Sequence, residues 1–444
     1  MAGLHDRVER GLAIASTPDQ IEQIAPNIYA VRSQSGNGVY LVTVERGSWK
    51  CICPDFTAHA FQCKHVISVQ LYLKGITPKE VAEVETRRPR PTYRQMWPEY
   101  RLAQRAELRL FDEVLHELTD DVEDPTPAGS TGRPRLPFKD VLYCAVERVY
   151  HGLPLGVAHG LSDRLLLENR ISCSPSRNMA SVLFRRPELT PILKGLISRS
   201  ALALASVEDT FAVDASGFRT RTFGDYLQEK YGAPAKNVWK KLHIIIGVKS
   251  HIIPSVVVTE GHVNDSPQLP ALVRAVAEAG FTVKEICADR GYLAAENFNV
   301  IGAVGGAPFI LFKSNSRGIA MKRKATSPLW KQMWHLLQSN PSEFLKHYYM
   351  RENVEAVFAG IKKTLGETIT SKDPVAQENE LLSKVLCWNV KVLIHESFER
   401  GIKLPGHEPE SPAEADAETA ECLAATAGTE QPWKTGPPSE QENN

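Results

Sequence analysis

Tyr348, Arg351, Glu355, Phe358 and Lys362 recur at three-, four- and seven-residue steps in HYYMRENVEAVFAGIKK, and side chains so spaced stack along one face of a helix. A carboxylate between two cations on such a face can be an ordinary surface ion pair, worth about 0.3–0.5 kcal/mol. It can also be one member of an acidic site flanked by phosphate-holding cations, and two aspartates upstream favour that reading. Asp214 lies among small residues in AVDAS and Asp289 lies in CADRGY, each closing an apolar run. A carboxylate that finishes a buried strand has a desolvation cost to offset. Three that converge repel one another unless divalent cations sit between them, and hard oxygen donors favour Mg²⁺ or Mn²⁺. Glu352 is the rival third carboxylate of the same helix.

A second constellation lies in CICPDFTAHAFQCKH, where Cys51 and Cys53 are one residue apart and Cys63 and His65 repeat that spacing. Two short arms, each presenting a pair of N or S ligands, can close tetrahedrally around one zinc ion. His59, between the pairs, reads as a loop residue. Cys144, Cys173 and Cys287 read as packing residues, and eight cysteines in 444 residues make no disulfide framework.

The elements that must position these groups follow from the pattern around them. Residues 207–313 alternate short β-rich runs with turns and helical segments in the order of three strands, a helix, a strand, a helix and a strand. That order predicts a mixed sheet with helices on its faces. Asp214 is expected at the end of the first strand and Asp289 at the end of the fourth. If those strands are neighbours the two carboxylates meet, and one continuous helix from Tyr348 to Lys362 can bring Glu355 across the sheet edge. Asp265 in HVNDSP reads as a helix N-cap, and Trp330 and Trp334 as core.

Nearer the start, IYAVRS and VYLVTVE predict a hairpin ahead of the cysteines, with a helix after His65. Met96–Leu118 predicts an amphipathic helix that runs into the Pro- and Gly-rich linker TDDVEDPTPAGSTGRPRLP, whose GRPR has the composition of a minor-groove hook. Three short helices follow over Phe138–Tyr150, Leu155–Asn169 and Ser176–Arg186, the last capped by Ser174 or Ser176. They form either a DNA-reading unit with an outward third helix or a helical layer packed on the sheet. Basic residues gather in two stretches expected to be DNA-contacting loops, one holding Arg219, Arg221, Lys230, Lys236, Lys240 and Lys241, the other Lys313, Arg317, Lys322, Arg323 and Lys324.

Two family resemblances join these observations. Cys-x-Cys-x9-Cys-x-His after a hairpin and before a helix, with Pro54, Asp55 and Phe56 beside it, resembles the SWIM zinc finger over about residues 28–73. Tyr348-x2-Arg351-x3-Glu355-x6-Lys362, together with Asp289-Arg290-Gly291-Tyr292, resembles the DDE transposases of insertion sequences over about residues 207–400. The resemblance implies a ribonuclease-H-like core, with Asp214, Asp289 and Glu355 catalytic and holding two Mg²⁺ or Mn²⁺ ions. It also implies that Tyr348, Arg351 and Lys362 contact DNA. The implied reaction is strand cleavage and strand transfer on double-stranded DNA, at element ends and target, by a homo-oligomer, a dimer. A zinc-finger DNA-binding protein that no longer cuts, or a metal-dependent endonuclease without strand transfer, would present the same residues.

The expected architecture is therefore α/β: a zinc-finger domain of ββα type at residues 1–75, a helix and linker at 76–136, a helical region at 137–205, a ribonuclease-H-like catalytic domain at 206–403 and a disordered acidic tail at 404–444. The formal net charge of zero conceals an asymmetry: nine of the 52 acidic and one of the 52 basic residues lie beyond Lys403, leaving 51 basic against 43 acidic, a net of +8. A modestly basic body suits a polyanionic partner. No apolar run reaches the length of a membrane span and the first residues lack the apolar core of a signal peptide, so the expected location is cytoplasmic.

Overall fold

The computed structural model describes residues 4–34, 38–45, 48–59, 63–73, 96–125, 135–220, 239–313, 316 and 327–405. The readings of GRPR as a hook, of Arg221, Lys230, Lys236, Arg317, Lys322, Arg323 and Lys324 as DNA contacts, and of a disordered tail fall wholly or largely outside the described residues.

The first part of the chain forms helix α1 (Leu4–Ser16), strands β1 (Ile21–Ala25), β2 (Ile28–Arg32), β3 (Val39–Glu45) and β4 (Ser48–Cys51), and helices α2 (Pro54–His59) and α3 (Lys64–Leu73). The strands pair antiparallel in chain order. The expected hairpin is thus the middle of a four-stranded sheet; the outer strands, IEQIA and SWKC, are too short and polar to show an alternating pattern. A separate small core of Ile14, Tyr29, Val31, Val42, Val66 and Val69 sits beneath the sheet. Gly11 lets α1 approach α3 closely, because a Cβ there would lie 2.8 Å from the Ile67 side chain. Arg7, buried, pairs with Asp55 at 2.5 Å and ties α1 to the start of α2.

A larger body begins with α4 (Trp97–Asp120), α5 (Phe138–Tyr150), α6 (Leu155–Leu167), α7 (Met179–Phe184) and α8 (Leu189–Ala201). Strands β5 (Thr210–Thr220), β6 (Trp239–Gly247) and β7 (Ser255–Glu260) then run as an antiparallel meander. Helix α9 (Leu269–Glu278) leads to β8 (Glu285–Ala288), and α10 (Ala295–Ala303) to β9 (Ala307–Ile310). Parallel strands need such helical crossovers, and β8 pairs parallel with both β5 and β9. The sheet order is β7-β6-β5-β8-β9, with the two-residue β10 (Thr368–Ile369) also on β5. The expected mixed α/β sheet flanked by helices is what the chain adopts. One hydrophobic core runs from Leu110 through the sheet to Leu404, so the helices of α4–α8 pack on the same interior as the strands.

Helices α11 (Pro328–Ser339), α12 (Pro341–Tyr348), α13 (Glu352–Leu365) and α14 (Pro374–Arg400) complete the chain. The 27-residue α14 is buried on most sides, polar residues such as Asn379, Glu380, Lys384 and Asn389 included, as befits a helix enclosed by neighbours. Asp373 caps its first turn by accepting from the N–H groups of Val375 (2.9 Å) and Ala376 (3.1 Å), and Gly401 ends it at φ +65°. Two fully buried asparagines join it to its surroundings. Asn379 donates to the Phe184 carbonyl (2.9 Å) and accepts from Thr190 Oγ1 (2.8 Å). Asn389 accepts from the Ile253 N–H (2.9 Å) and donates to the Ile253 carbonyl (2.8 Å), so it stands in for a missing sheet partner. Its removal strands two buried backbone groups, each costing about 1–3 kcal/mol. Asn389→Ala is therefore expected to lower unfolding free energy by roughly 2–4 kcal/mol in urea denaturation; a loss below about 1 kcal/mol would contradict this role.

Candidate functional site

The parallel pairing of β5 with β8 sets Val213 opposite Ala288, so the next residues, Asp214 and Asp289, lie side by side where β8 ends. Asp214 does not finish its strand as expected. β5 continues to Thr220 because β6 pairs with it as far as Arg219 and β10 takes up the edge that β8 leaves. Past that point Asp214, Ser216 and Phe218 share one face of the strand, and the small side chain of Ser216 leaves room between them. Asp289 begins a 3-10 turn, Arg290–Tyr292, and is exposed.

Across this face lies the segment carrying the third carboxylate. It is not the single helix predicted: α12 ends at Tyr348, a 3-10 turn occupies Tyr349–Arg351, and α13 starts at Glu352. Bonds both local and distant meet at this turn. Asn353 donates to the Met350 carbonyl (2.9 Å) and faces His251 Nε2 (3.1 Å), while the His251 carbonyl accepts from Trp388 Nε1 (3.0 Å). Gly360 lets α13 approach α14, since a Cβ there would meet the Trp388 ring at 2.5 Å. The predicted stripe is not uniform in burial: Phe358 is buried in the core and Glu355 is exposed. Four of its members still face β5 and β8. Tyr348 Oη donates to Asp289 Oδ1 at a long 3.5 Å, Arg351 Nε donates to Tyr348 Oη at 3.0 Å, and Arg351 Nη1 donates to Glu355 Oε1 at 3.1 Å. Lys362 Nζ donates to Ser216 Oγ at 2.8 Å and sits over the Phe218 ring. A chain of polar contacts thus runs from the end of β8 to α13. Glu352 is exposed at the first position of α13.

Cys51, Cys53, Cys63 and His65 are all buried. Among the described residues they form the one group of three or more metal-ligating side chains whose ligand atoms all lie within 4.8 Å of one another. The carboxylates are spread more widely. His65 Nδ1 lies 3.9 Å from the sulfurs of both Cys51 and Cys63, near the roughly 3.6 Å that Zn–S and Zn–N bonds of about 2.3 and 2.0 Å subtend at a tetrahedral angle. Cys53 accepts from the Phe56 N–H at 3.3 Å, and the Cys51 and Cys63 thiols beside it hold it well below the ordinary thiol range. The donor set fits zinc.

Several other expectations change. Asp265 makes no side-chain cap; it accepts from Lys241 Nζ at 2.9 Å and lies 3.7 Å from His243 Nδ1. Lys240 and Lys241 belong to β6 rather than to a loop, and Lys240, nearly buried, pairs with Glu260 at 2.5 Å. The third short helix, α7, spans only six residues and has no side-chain cap; Ser174 donates to Asp163 instead. Cys287 is packed as expected, its thiol donating to the His347 carbonyl at 3.1 Å, and Trp330 lies in the core. His347 was not anticipated. Its Nδ1 faces Glu285 at 2.7 Å and its Nε2 faces Glu343 at 3.0 Å, while its ring stacks on Phe309, fixing the end of α12 against β8 and β9. The Glu343-x3-His347 spacing was its only trace in the sequence.

Burial, and after it the charges of Asp289 and Glu355, push the Asp214 carboxyl up to about 6, against the opposing Ala215 N–H and Arg351. Arg351 goes the other way: despite burial, Tyr348, Asp289 and Glu355 raise its guanidinium further. A carboxyl raised in the folded state contributes stability that is full below its unfolded pKa near 3.8 and is lost as pH rises through about 6. The melting temperature of the protein without divalent cations is therefore expected to fall more steeply between pH 5 and 7 than that of Asp214→Asn. Parallel curves for the two would contradict the assigned burial.

Residues 205–390 match the family model described as the transposase DDE domain, a segment that runs from just before β5 into α14 and includes Asp214, Asp289 and Glu355. No solved structure matches the chain. Among the described residues no helix is long and apolar enough to cross a membrane. The sheet and the segment laid across it are thus similar to a transposase DDE domain, and this likeness supports a DDE transposase.

Proposed function

We propose that the protein is a metal-dependent DNA transposase that cuts strands at the ends of an insertion sequence and joins the freed 3′ ends to target DNA. The observation that carries this reading is the side-by-side placement of Asp214 and Asp289, faced by Arg351 of the 3-10 turn and by Glu355 and Lys362 of α13. Divalent cations bound between Asp214, Asp289 and Glu355 would make a water or 3′-hydroxyl nucleophilic and stabilise charge on the phosphate under attack. Oxygen-only donors suit Mg²⁺ or Mn²⁺, and the Asp214 carboxyl, raised first by burial and then by the charges of Asp289 and Glu355, would be drawn back to its charged form by a cation.

The remaining groups bind and orient. Arg351, paired with Glu355 in the protein alone, becomes available to a phosphate once that carboxylate turns to the cations. Lys362 lies along the small-residue stretch of β5, where a DNA backbone can approach closely, and Tyr348 holds Arg351 in place. In the first step water attacks one phosphodiester, breaking the P–O3′ bond and leaving a 3′-hydroxyl and a 5′-phosphate. In the second, that hydroxyl attacks a target phosphodiester and displaces a second 3′-oxygen. The Cys51, Cys53, Cys63 and His65 cluster holds a structural zinc in a SWIM-type finger, for which Arg7–Asp55 supplies a supporting bond. Two subunits acting together on DNA, in a cytoplasmic setting, complete the reading.

Incubation with Mg²⁺ and DNA bearing the ends of the element should give joined products, and Asp289→Ala should abolish cutting while leaving binding within about threefold, since binding rests on the cations' neighbours rather than on the carboxylate. Nicks without joining would make the protein an endonuclease; binding without nicks would sink the enzyme reading. Lys362→Ala should flatten the slope of log affinity against log salt by about 0.9, the value for one phosphate contact; an unchanged slope would remove Lys362 from the interface. Metal analysis should return one zinc per chain, lost in Cys63→Ser together with the cooperative unfolding of residues 4–73, and a metal-free wild-type chain would overturn the finger.

A further inference from the structure

Tyr292 ends the turn that Asp289 begins, and the chemistry above gives its hydroxyl nothing to do. The residue is 1% exposed, and its Oη is buried with no hydrogen-bond partner. A hydroxyl stranded in this way costs about 1–3 kcal/mol. Nor can it readily swing out to water, because its backbone is held at both ends: its N–H donates to the Asp289 carbonyl (2.9 Å) and its carbonyl accepts from the buried Asn297 side chain (2.7 Å). Asn297 also donates to Ser266 Oγ at 3.0 Å, which places the residue after Asp265 against the same turn. Burial first, then the charges of Asp214, Asp265 and Asp289, raise the phenol pKa, so the hydroxyl stays protonated and can serve as a donor. Asp265 is already engaged by Lys241. Among the described residues Asp214 and Asp289 have no lysine of their own, and each uses one oxygen, Asp214 Oδ1 with the Ala215 N–H (2.8 Å) and Asp289 Oδ1 with Tyr348 Oη (3.5 Å), so a second oxygen of each remains to accept from the phenol.

We propose that Tyr292 is a positioning residue of the cation site, its buried hydroxyl donating the hydrogen bond that orients the Asp214–Asp289 carboxylates once divalent ions are bound. This rests on the transposase reading of those carboxylates. The hydroxyl then has its partner in the loaded protein, and its unpaired state in the ion-free protein is the cost of a site built for the loaded one.

The test compares full-length, zinc-loaded wild type, Tyr292→Phe and, as a control, Asp289→Asn. Mn²⁺ binding is followed by calorimetric titration, and thermal unfolding is measured without added Mn²⁺. Tyr292→Phe should unfold at the same or a higher temperature, since it deletes a group that has no partner there. It should nevertheless bind Mn²⁺ about tenfold more weakly, the usual effect of losing a group that orients a ligand. A lower unfolding temperature with unchanged Mn²⁺ affinity would make Tyr292 a packing residue and overturn the proposal, as would no change in either quantity. Wild type that binds no Mn²⁺ dependent on Asp289 would overturn the transposase reading as well; Mn²⁺ binding equal in wild type and Tyr292→Phe would overturn this proposal alone.

Discussion

Two like charges held at neighbouring positions of adjacent strands are the constraint around which the larger body is arranged. The β5–β8 register leaves Asp214 and Asp289 no freedom to separate along the strands. The Asp214 carboxyl is raised first by its burial and then by the charges of Asp289 and Glu355. Such a pair is tolerable only with positive charge nearby. In the protein alone that charge is the guanidinium of Arg351, which reaches Glu355 directly and Asp289 through Tyr348. In the proposed working state divalent cations take over this role, and Arg351 turns to DNA.

The 3-10 turn at Tyr349–Arg351 and the helix after it are fixed from several sides. Glu355 and Phe358 lie three residues apart on the one helix α13, and the border between site and core runs between them. Val354, Val357, Phe358 and Ile361 of α13 enter the core, while Arg351 of the turn and Glu355 and Lys362 of α13 remain beside β5 and β8. Asn353, bonded to His251, and Gly360, packed on Trp388, hold α13 in place, and α14, fixed to the sheet by Asn389, supplies the wall behind it. The Cys/His module, by contrast, has a core of its own and a donor cluster that is complete without help from the rest of the chain.

Much of this could be read from the residues because short-range chemistry leaves spacing behind. Cys51-x-Cys53 and Cys63-x-His65 had to be close to act together, and the alternation of apolar strands with turns exposed the order of the sheet. What escaped was set by tertiary contact. The extension of β5 beyond Asp214 depends on pairing with β6 and β10, and β10 is only two residues long. The break after Tyr348 carries no proline or glycine; bonds from residues far along the chain produce it. Lys240, Lys241 and Asp265 looked like loop and cap residues because nothing local reveals that β6 begins before them or that they pair with acidic and basic partners some twenty residues away. His347 hid for the same reason, since Glu285 lies on a different element.

The central claim is that Asp214, Asp289 and Glu355 share cations when DNA is bound. Anomalous scattering from Mn²⁺ in crystals of the DNA complex measures this directly. The account predicts manganese peaks about 2.0–2.2 Å from oxygens of all three carboxylates, with Arg351 released from Glu355 onto a phosphate. Peaks elsewhere, or a Glu355 still paired with Arg351 beside an empty aspartate pair, would contradict it.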